Sequence, residues 1–151
     1  MKELQGRAAG ELDLPPEECF ALLAAVERYP DWLEFVREVE LVEPERNGTP
    51  GRAWAALHIP QSPFGTDFEF FVTVKTEPPV AITLTRVPDG PGDLDRLELI
   101  WRMQGNGPTT LELEFDVAAS FVPGFLPVGG AGEVFAQAGI DAVLDALTRW
   151  G

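Results

Sequence analysis

Two of the residue types that most often carry chemistry are nearly missing: the 151-residue chain has one cysteine, Cys19, and one histidine, His58. A lone cysteine excludes an intrachain disulfide. With no HxH or CxxC spacing either, thiolate and imidazole ligands cannot cluster, so no metal and no cofactor is expected. Basic charge is also scarce. Eleven lysines and arginines face 25 acidic residues, a net charge of -14, and only Lys2 and Lys75 are lysines. No strip of positive charge exists to neutralise phosphates, which argues against nucleic acid and against an anionic membrane surface as partners. No apolar run approaches the ~18 residues of a membrane span. The opening MKELQGRAAGELDLPPEE lacks the apolar segment of a signal peptide, so a cytoplasmic location is the expectation. The run LPVGGAG (126–132) has glycines but neither the lysine nor the following hydroxyl of a phosphate loop. Nothing resembles a Ser-His-Asp arrangement.

What is present is material for one core. Apolar residues make up 45% of the chain, and the length suits a single domain over residues 1–151. Residues 3–14 predict a strand. Pro15 and Pro16 close it and open a helix, where Glu17 and Glu18 meet the exposed amides of the first turn. Cys19 sits in the run CFALLAAV, which reads as buried helix, with Phe20, Leu23 and Ala24 as its inward stripe. In VERYPDWLEFVREVELVE (26–43), Pro30 biases Tyr29 away from helical dihedrals. The first helix is therefore expected to end near Arg28, with a second over residues 31–37 presenting Trp32, Phe35 and Val36 on one face. From Val39 through Leu41 the pattern alternates, which predicts a strand.

Strands dominate the rest. Residues 52–59 put Ala53, Ala55, Leu57 and Ile59 on one side and Trp54, Ala56 and His58 on the other. In TDFEFFVTVK, Phe68, Phe70, Val72 and Val74 are in step; in PVAITLTRV, Val80, Ile82 and Leu84 are. LDRLELIWRMQ aligns Leu97, Leu99, Trp101 and Met103. TTLELEFDVAA aligns Leu111, Leu113, Phe115 and Val117 against Thr110, Glu112, Glu114 and Asp116. Short turns between these segments predict antiparallel neighbours. An apolar loop, SFVPGFLPVGGAG, leads to a final helix over residues 133–150 with Val134, Phe135, Ala138, Val143, Leu144 and Leu147 among its apolar positions. The class is α+β: six or seven antiparallel strands, one long C-terminal helix, and two short helices after the first strand. A sheet apolar on one face must cover it, and one helix is narrower than such a sheet. If the sheet curls around the helix, a concave apolar space remains, the kind of place small ligands occupy.

This order resembles the helix-grip fold of the START and birch-pollen-allergen (SRPBCC) superfamily, with the strongest likeness to its polyketide cyclase/dehydrase and coenzyme Q-binding branch. The residues that carry the resemblance are ELDLPPEECFALLAAVERYPDWLEFVREVELVE, the aromatic strand TDFEFFVTVK, the tryptophan of LIWRM and the glycine-led closing helix. The likeness covers nearly the whole chain and is a pattern of positions, not a catalytic signature. It implies a cavity between sheet and long helix that holds lipids, sterols, quinones, polyketides or hormones, and in some members an aromatase or cyclase activity.

Strand phase supplies the candidate ligand-binding residues. The sheet offers Leu57, Phe68, Phe70, Val72, Ile82, Leu84, Leu99, Trp101, Leu113 and Phe115, the closing helix Phe135, Ala138 and Leu144, and Trp32 borders the entrance. Three side chains are candidates for chemistry. His58 titrates near neutrality but shares a face with Trp54, which points it outward. Arg86 is in phase with Ile82 and Leu84 and is the better cavity candidate, able to clamp a carboxylate or developing enolate. Tyr29 is the third. Arg102 is out of phase with Trp101 and belongs to the solvent face, as do Glu69, Glu98, Glu112 and Glu114. The leading expectation is a non-enzymatic carrier or sensor of a hydrophobic small molecule. A cyclase or dehydratase using Arg86, His58 or Tyr29, and an acidic protein-interaction module with a filled cavity, remain as alternatives.

Overall fold

The computed structural model describes residues 2–33, 36–58, 67–87, 96–105, 108–119 and 131–150. Strand β1 (Lys2–Leu12) leads to helix α1 (Pro16–Ala24) and a 3₁₀ helix (Val26–Asp31). Six strands follow: β2 (Val36–Glu43), β3 (Gly51–His58), β4 (Asp67–Glu77), β5 (Ala81–Arg86), β6 (Arg96–Gln104) and β7 (Thr109–Ala119). Helix α2 (Ala131–Trp150) closes the chain. The strands form one curved sheet in the order β1-β7-β6-β5-β4-β3-β2, antiparallel throughout. This is the expected helix-grip architecture. No helix among the described residues is long and apolar enough to cross a membrane.

The period-2 pattern decides which face each strand buries. Phe68, Phe70, Val72 and Val74 of β4 are buried, and so are Leu97, Trp101 and Met103 of β6 and Leu111, Leu113 and Phe115 of β7. The outer face is ionic. Arg7 reaches Glu112 at 3.1 Å, Arg102 reaches Glu114 at 2.8 Å, and Arg96 reaches Asp116 at 2.9 Å. Arg102 therefore lies on the solvent side, as its phase predicts. Its hydrogen bond to Glu114, with its positive charge, holds that carboxyl below the usual carboxylate range. A carboxylate lowered in the folded state stabilises the fold above its unfolded value, and that contribution is lost as pH falls through the folded one. The pair is half exposed, so the effect is below about 1 kcal/mol. Urea midpoints at pH 7 and pH 3 should differ less in Arg102→Met than in the parent chain, and an unchanged difference would remove the pair from the acid response.

The cover over the inner face departs from the sequence reading in its details. Helix α1 stops at Ala24 instead of near Arg28, because Ala25 leaves helical dihedrals at ψ 69°. No helix spans residues 31–37: Tyr29-Pro30 lies inside the 3₁₀ helix, and Val36 already begins β2. The reason is the aromatic spacing. Val26, Tyr29 and Trp32 are all buried, and in a three-residue turn side chains at i and i+3 eclipse. Phe35 lies outside the described residues. The inward alternation expected for β2 holds at Val39 but not at Leu41, which is 44% exposed beside a register shift on this edge strand. Val80 is likewise exposed, in the turn before β5.

Helix α2 seats on β1 and β7 through two glycines. A Cβ on Gly10 would stand 2.7 Å from Ile140 Cγ2, and one on Gly139 would stand 2.7 Å from Leu113 Cδ2 and 3.5 Å from Trp101 Cη2. Ala136, Gly139, Ile140, Val143, Ala146 and Leu147 form its buried stripe, three and four apart. Val134 and Ala138 are exposed, so the predicted apolar face is rotated from the observed one. Gly10→Ala drives a methyl into the stiff β-branch of Ile140. It should cost about 1–3 kcal/mol, and Ile140→Ala in that background should recover part of the loss in a double-mutant cycle. Strictly additive losses would mean that the helix slides to make room.

Candidate functional site

The inner face is the candidate site. Helix α2 rests on β1 and β7, α1 on β5 and β6, and the 3₁₀ helix on β2. Among the described residues neither helix makes an extensive contact with β3 or β4. Their inward side chains are small on one strand and large on the other. Ala53 and Ala55 of β3 stand opposite Val72 and Phe70 of β4, and Leu57 stands opposite Phe68. Across β5 and β6, Ile82 faces Trp101 and Leu84 faces Leu99. Leu57, Leu84, Leu99 and Val117 are only partly buried while packed against the core, so the apolar wall keeps some accessible surface.

One charged side chain is turned into this wall among the described residues. Arg86 is 8% exposed and stands opposite Val72 at the end of β5. Its Nη1 donates to the Val87 carbonyl at 2.7 Å. The other buried polar side chain, Thr109, is committed: its hydroxyl donates to the Leu14 carbonyl at 2.6 Å and ties β7 to the segment entering α1.

Trp101 stands at the centre. It is fully buried between Ile82 and Leu113 on the neighbouring strands. Its six-membered ring points at Gly139 of α2. Trp32 lies 6.4 Å from it, centroid to centroid, and Tyr29 stands edge-on to Trp32 at 5.1 Å. The Tyr29 hydroxyl donates to the Leu23 carbonyl at 2.5 Å, which fastens the 3₁₀ helix to α1. Burial pushes this phenol well above its ordinary value, and the nearby Trp101 indole opposes the shift without completing a hydrogen bond. Tyr29 is thus a structural post and not a free proton donor, which corrects its candidacy as an acid or base. Cys19 is buried and its thiol is pushed up to about 12 by desolvation, so it is no nucleophile.

The remaining sequence candidates divide cleanly. Trp32, Phe68, Phe70, Val72, Ile82, Trp101, Leu113 and Phe115 are buried on the inner side, with Leu57, Leu84 and Leu99 partly so. Leu144 packs over Gly10 at the β1 side. Ala138 faces solvent and is withdrawn from the lining. The side chains of His58 and Phe135, and residue Ile59, lie outside the described residues, as does the apolar loop over 120–130. Sequence reasoning missed Gly139 and Ile140. The spacing of Ala136, Ile140, Val143 and Leu147 was a signal for the buried helix face, but a glycine announces a close approach only when its partner is known.

No curated protein matches the chain in sequence. The fold recurs among solved structures at low identity. A START superfamily protein from Mycobacterium smegmatis is 18% identical with a TM-score of 0.71, covering 95% of this chain and 94% of that one. An aromatase/cyclase, Zhui, from a Streptomyces species is 16% identical with a TM-score of 0.69, covering 98% and 95%. A STAR-related lipid transfer protein from Xanthomonas axonopodis is 13% identical with a TM-score of 0.70, covering 94% and 84%. The model of the family described as polyketide cyclase/dehydrase and lipid transport matches residues 12–148, from the last residue of β1 almost to the end of α2. The chain belongs to that family.

Proposed function

We propose that this protein binds a hydrophobic small molecule on the concave face between the sheet and its helices, as a carrier or sensor. The observation that carries this reading is an inner face that is apolar from β3 to β7, with Arg86 as its one buried charge among the described residues. Apolar walls with a few placed polar groups are the common form of small-molecule sites. Trp32, Phe68, Phe70, Val72, Ile82, Leu84, Leu99, Trp101, Leu113 and Phe115 supply the apolar contact, with Leu57 at the β3 side and Leu144 from α2. Arg86 anchors an oxygen of the ligand, since a guanidinium forms strong charge-assisted bonds to carboxylate or enolate oxygens. The names of two structural neighbours, a lipid transfer protein and an aromatase/cyclase, support the same class of ligand.

The test is mass analysis of what the natively purified protein releases on denaturation, against a blank preparation, together with titration of the emptied protein with an anionic naphthalene-type fluorophore. A stoichiometric hydrophobic molecule, or saturable one-to-one fluorophore binding, is the expected result. Neither would leave the reading without support. A cyclase or dehydratase activity is the second reading, favoured by the inward Arg86, which would stabilise a developing enolate. With Tyr29 committed to Leu23, that chemistry requires a proton donor other than Tyr29.

A further inference from the structure

Trp32 and Trp101 both bury their indole Nε1–H, at 6% and 0% exposure, and neither has a hydrogen-bond partner. A buried donor without an acceptor loses its water and gains nothing in return, so folded chains rarely keep one. The two differ in surroundings. Trp101 points its six-membered ring at Gly139, and its indole N–H lies toward the Tyr29 oxygen, which a small shift would make its acceptor. Trp32 has no such neighbour: its ring meets Tyr29 edge-on and Trp101 at a tilt of 57°, both ring contacts. It stands at the end of the 3₁₀ helix, where the chain passes from the cover to β2, against the central ring of the inner face.

We propose that the Trp32 indole N–H is a ligand-recognition donor, accepted by a carbonyl or phenolic oxygen of a planar hydrophobic ligand, with Trp101 as the ring wall beside it. The inference rests on the hydrophobic-ligand reading above and narrows it. A bare hydrocarbon would leave the donor unsatisfied, whereas an aromatic ketone, quinone or phenol would satisfy it. Indole has no acceptor lone pair, so the matching ligand atom must accept. An oxygen therefore belongs in the apolar part of the ligand as well as at its Arg86 end.

A matched pair of probes, fluorenone and fluorene, tests this directly, because they differ by one carbonyl oxygen. In an apolar pocket without a donor, fluorenone loses its hydrogen bonds to water and fluorene binds better. With the Trp32 donor in place, fluorenone should bind about 3- to 10-fold tighter than fluorene. Trp32→Phe should abolish or reverse that preference while changing fluorene affinity by no more than about twofold, the scale of a contact retained. On the unmutated protein, the Trp32 indole amide resonance should move downfield on adding fluorenone and stay in place with fluorene. That readout decides the matter by itself if Trp32→Phe does not fold. Equal affinities, a preference that survives in Trp32→Phe, or an unmoved Trp32 resonance would overturn the proposal and leave hydrophobic binding intact. Binding of neither probe would overturn it together with the reading on which it rests.

Discussion

Trp101→Ala should destabilise the protein by about 3–5 kcal/mol, the range for removing a large buried aromatic. That is a large share of the roughly 5–15 kcal/mol by which a domain is stable. The position explains why the loss is not softened. Trp101 has no exposed surface, touches Ile82 and Leu113 across two strand pairs, and lies beneath Gly139, which has no side chain to follow it into the gap. The opposite side is closed by Trp32 and Tyr29, the latter held by Leu23. The surroundings are fixed by sheet hydrogen bonds and by the helix, so the cavity stays open. Urea denaturation followed by far-UV circular dichroism measures the loss, and Trp101→Phe should give a smaller one. A loss under about 1.5 kcal/mol, the size of a tolerated volume-conserving exchange, would mean that the helix and sheet collapse onto the gap.

Arg86→Leu has its main effect on binding. Hydrogen bonds to charged groups contribute about 1.5–3 kcal/mol, which corresponds to roughly 10- to 150-fold in affinity. The variant should lose that factor for an aromatic carboxylate such as 2-naphthoate, while 2-naphthalenemethanol, without the charge, changes far less. Arg86→Lys should fall between them, since an ammonium keeps the charge but not the planar fork. Calorimetric titration of both probes against parent and variants gives the comparison, and melting temperatures separate lost affinity from lost fold. Equal loss for the two probes would make Arg86 a packing residue near Val72 and Val87 and not an anion anchor.

The strand half of the molecule was legible residue by residue. A side-chain period of two, with Glu112, Glu114 and Asp116 on one face and Leu111, Leu113 and Phe115 on the other, admits one orientation. The same phase turned Arg86 inward and Arg102 outward, and both stand so. The resemblance carried by the Tyr-Pro segment and the closing helix extended this from a strand list to a helix-grip fold.

The cover was less legible. Tyr29-Pro30 suggested a joint between two helices because the local effect of a proline is readable. That the segment winds as a 3₁₀ helix depends on what lies beneath it: Val26, Tyr29 and Trp32 reach the core together only at three residues per turn. The buried stripe of α2 has the same character. Counted alone, Ala138 is as apolar as Ala136, and only the fit of Gly139 over Trp101 and of Ile140 against Gly10 selects the rotation. Sequence by itself thus determined the class, the strand phases and the apolar inner face, because those follow from periodicity along one segment. Tertiary structure alone decided the helix faces, the commitment of Tyr29 to Leu23 and the unpaired N–H of Trp32, because a hydrogen-bond partner or a close approach belongs to two segments at once.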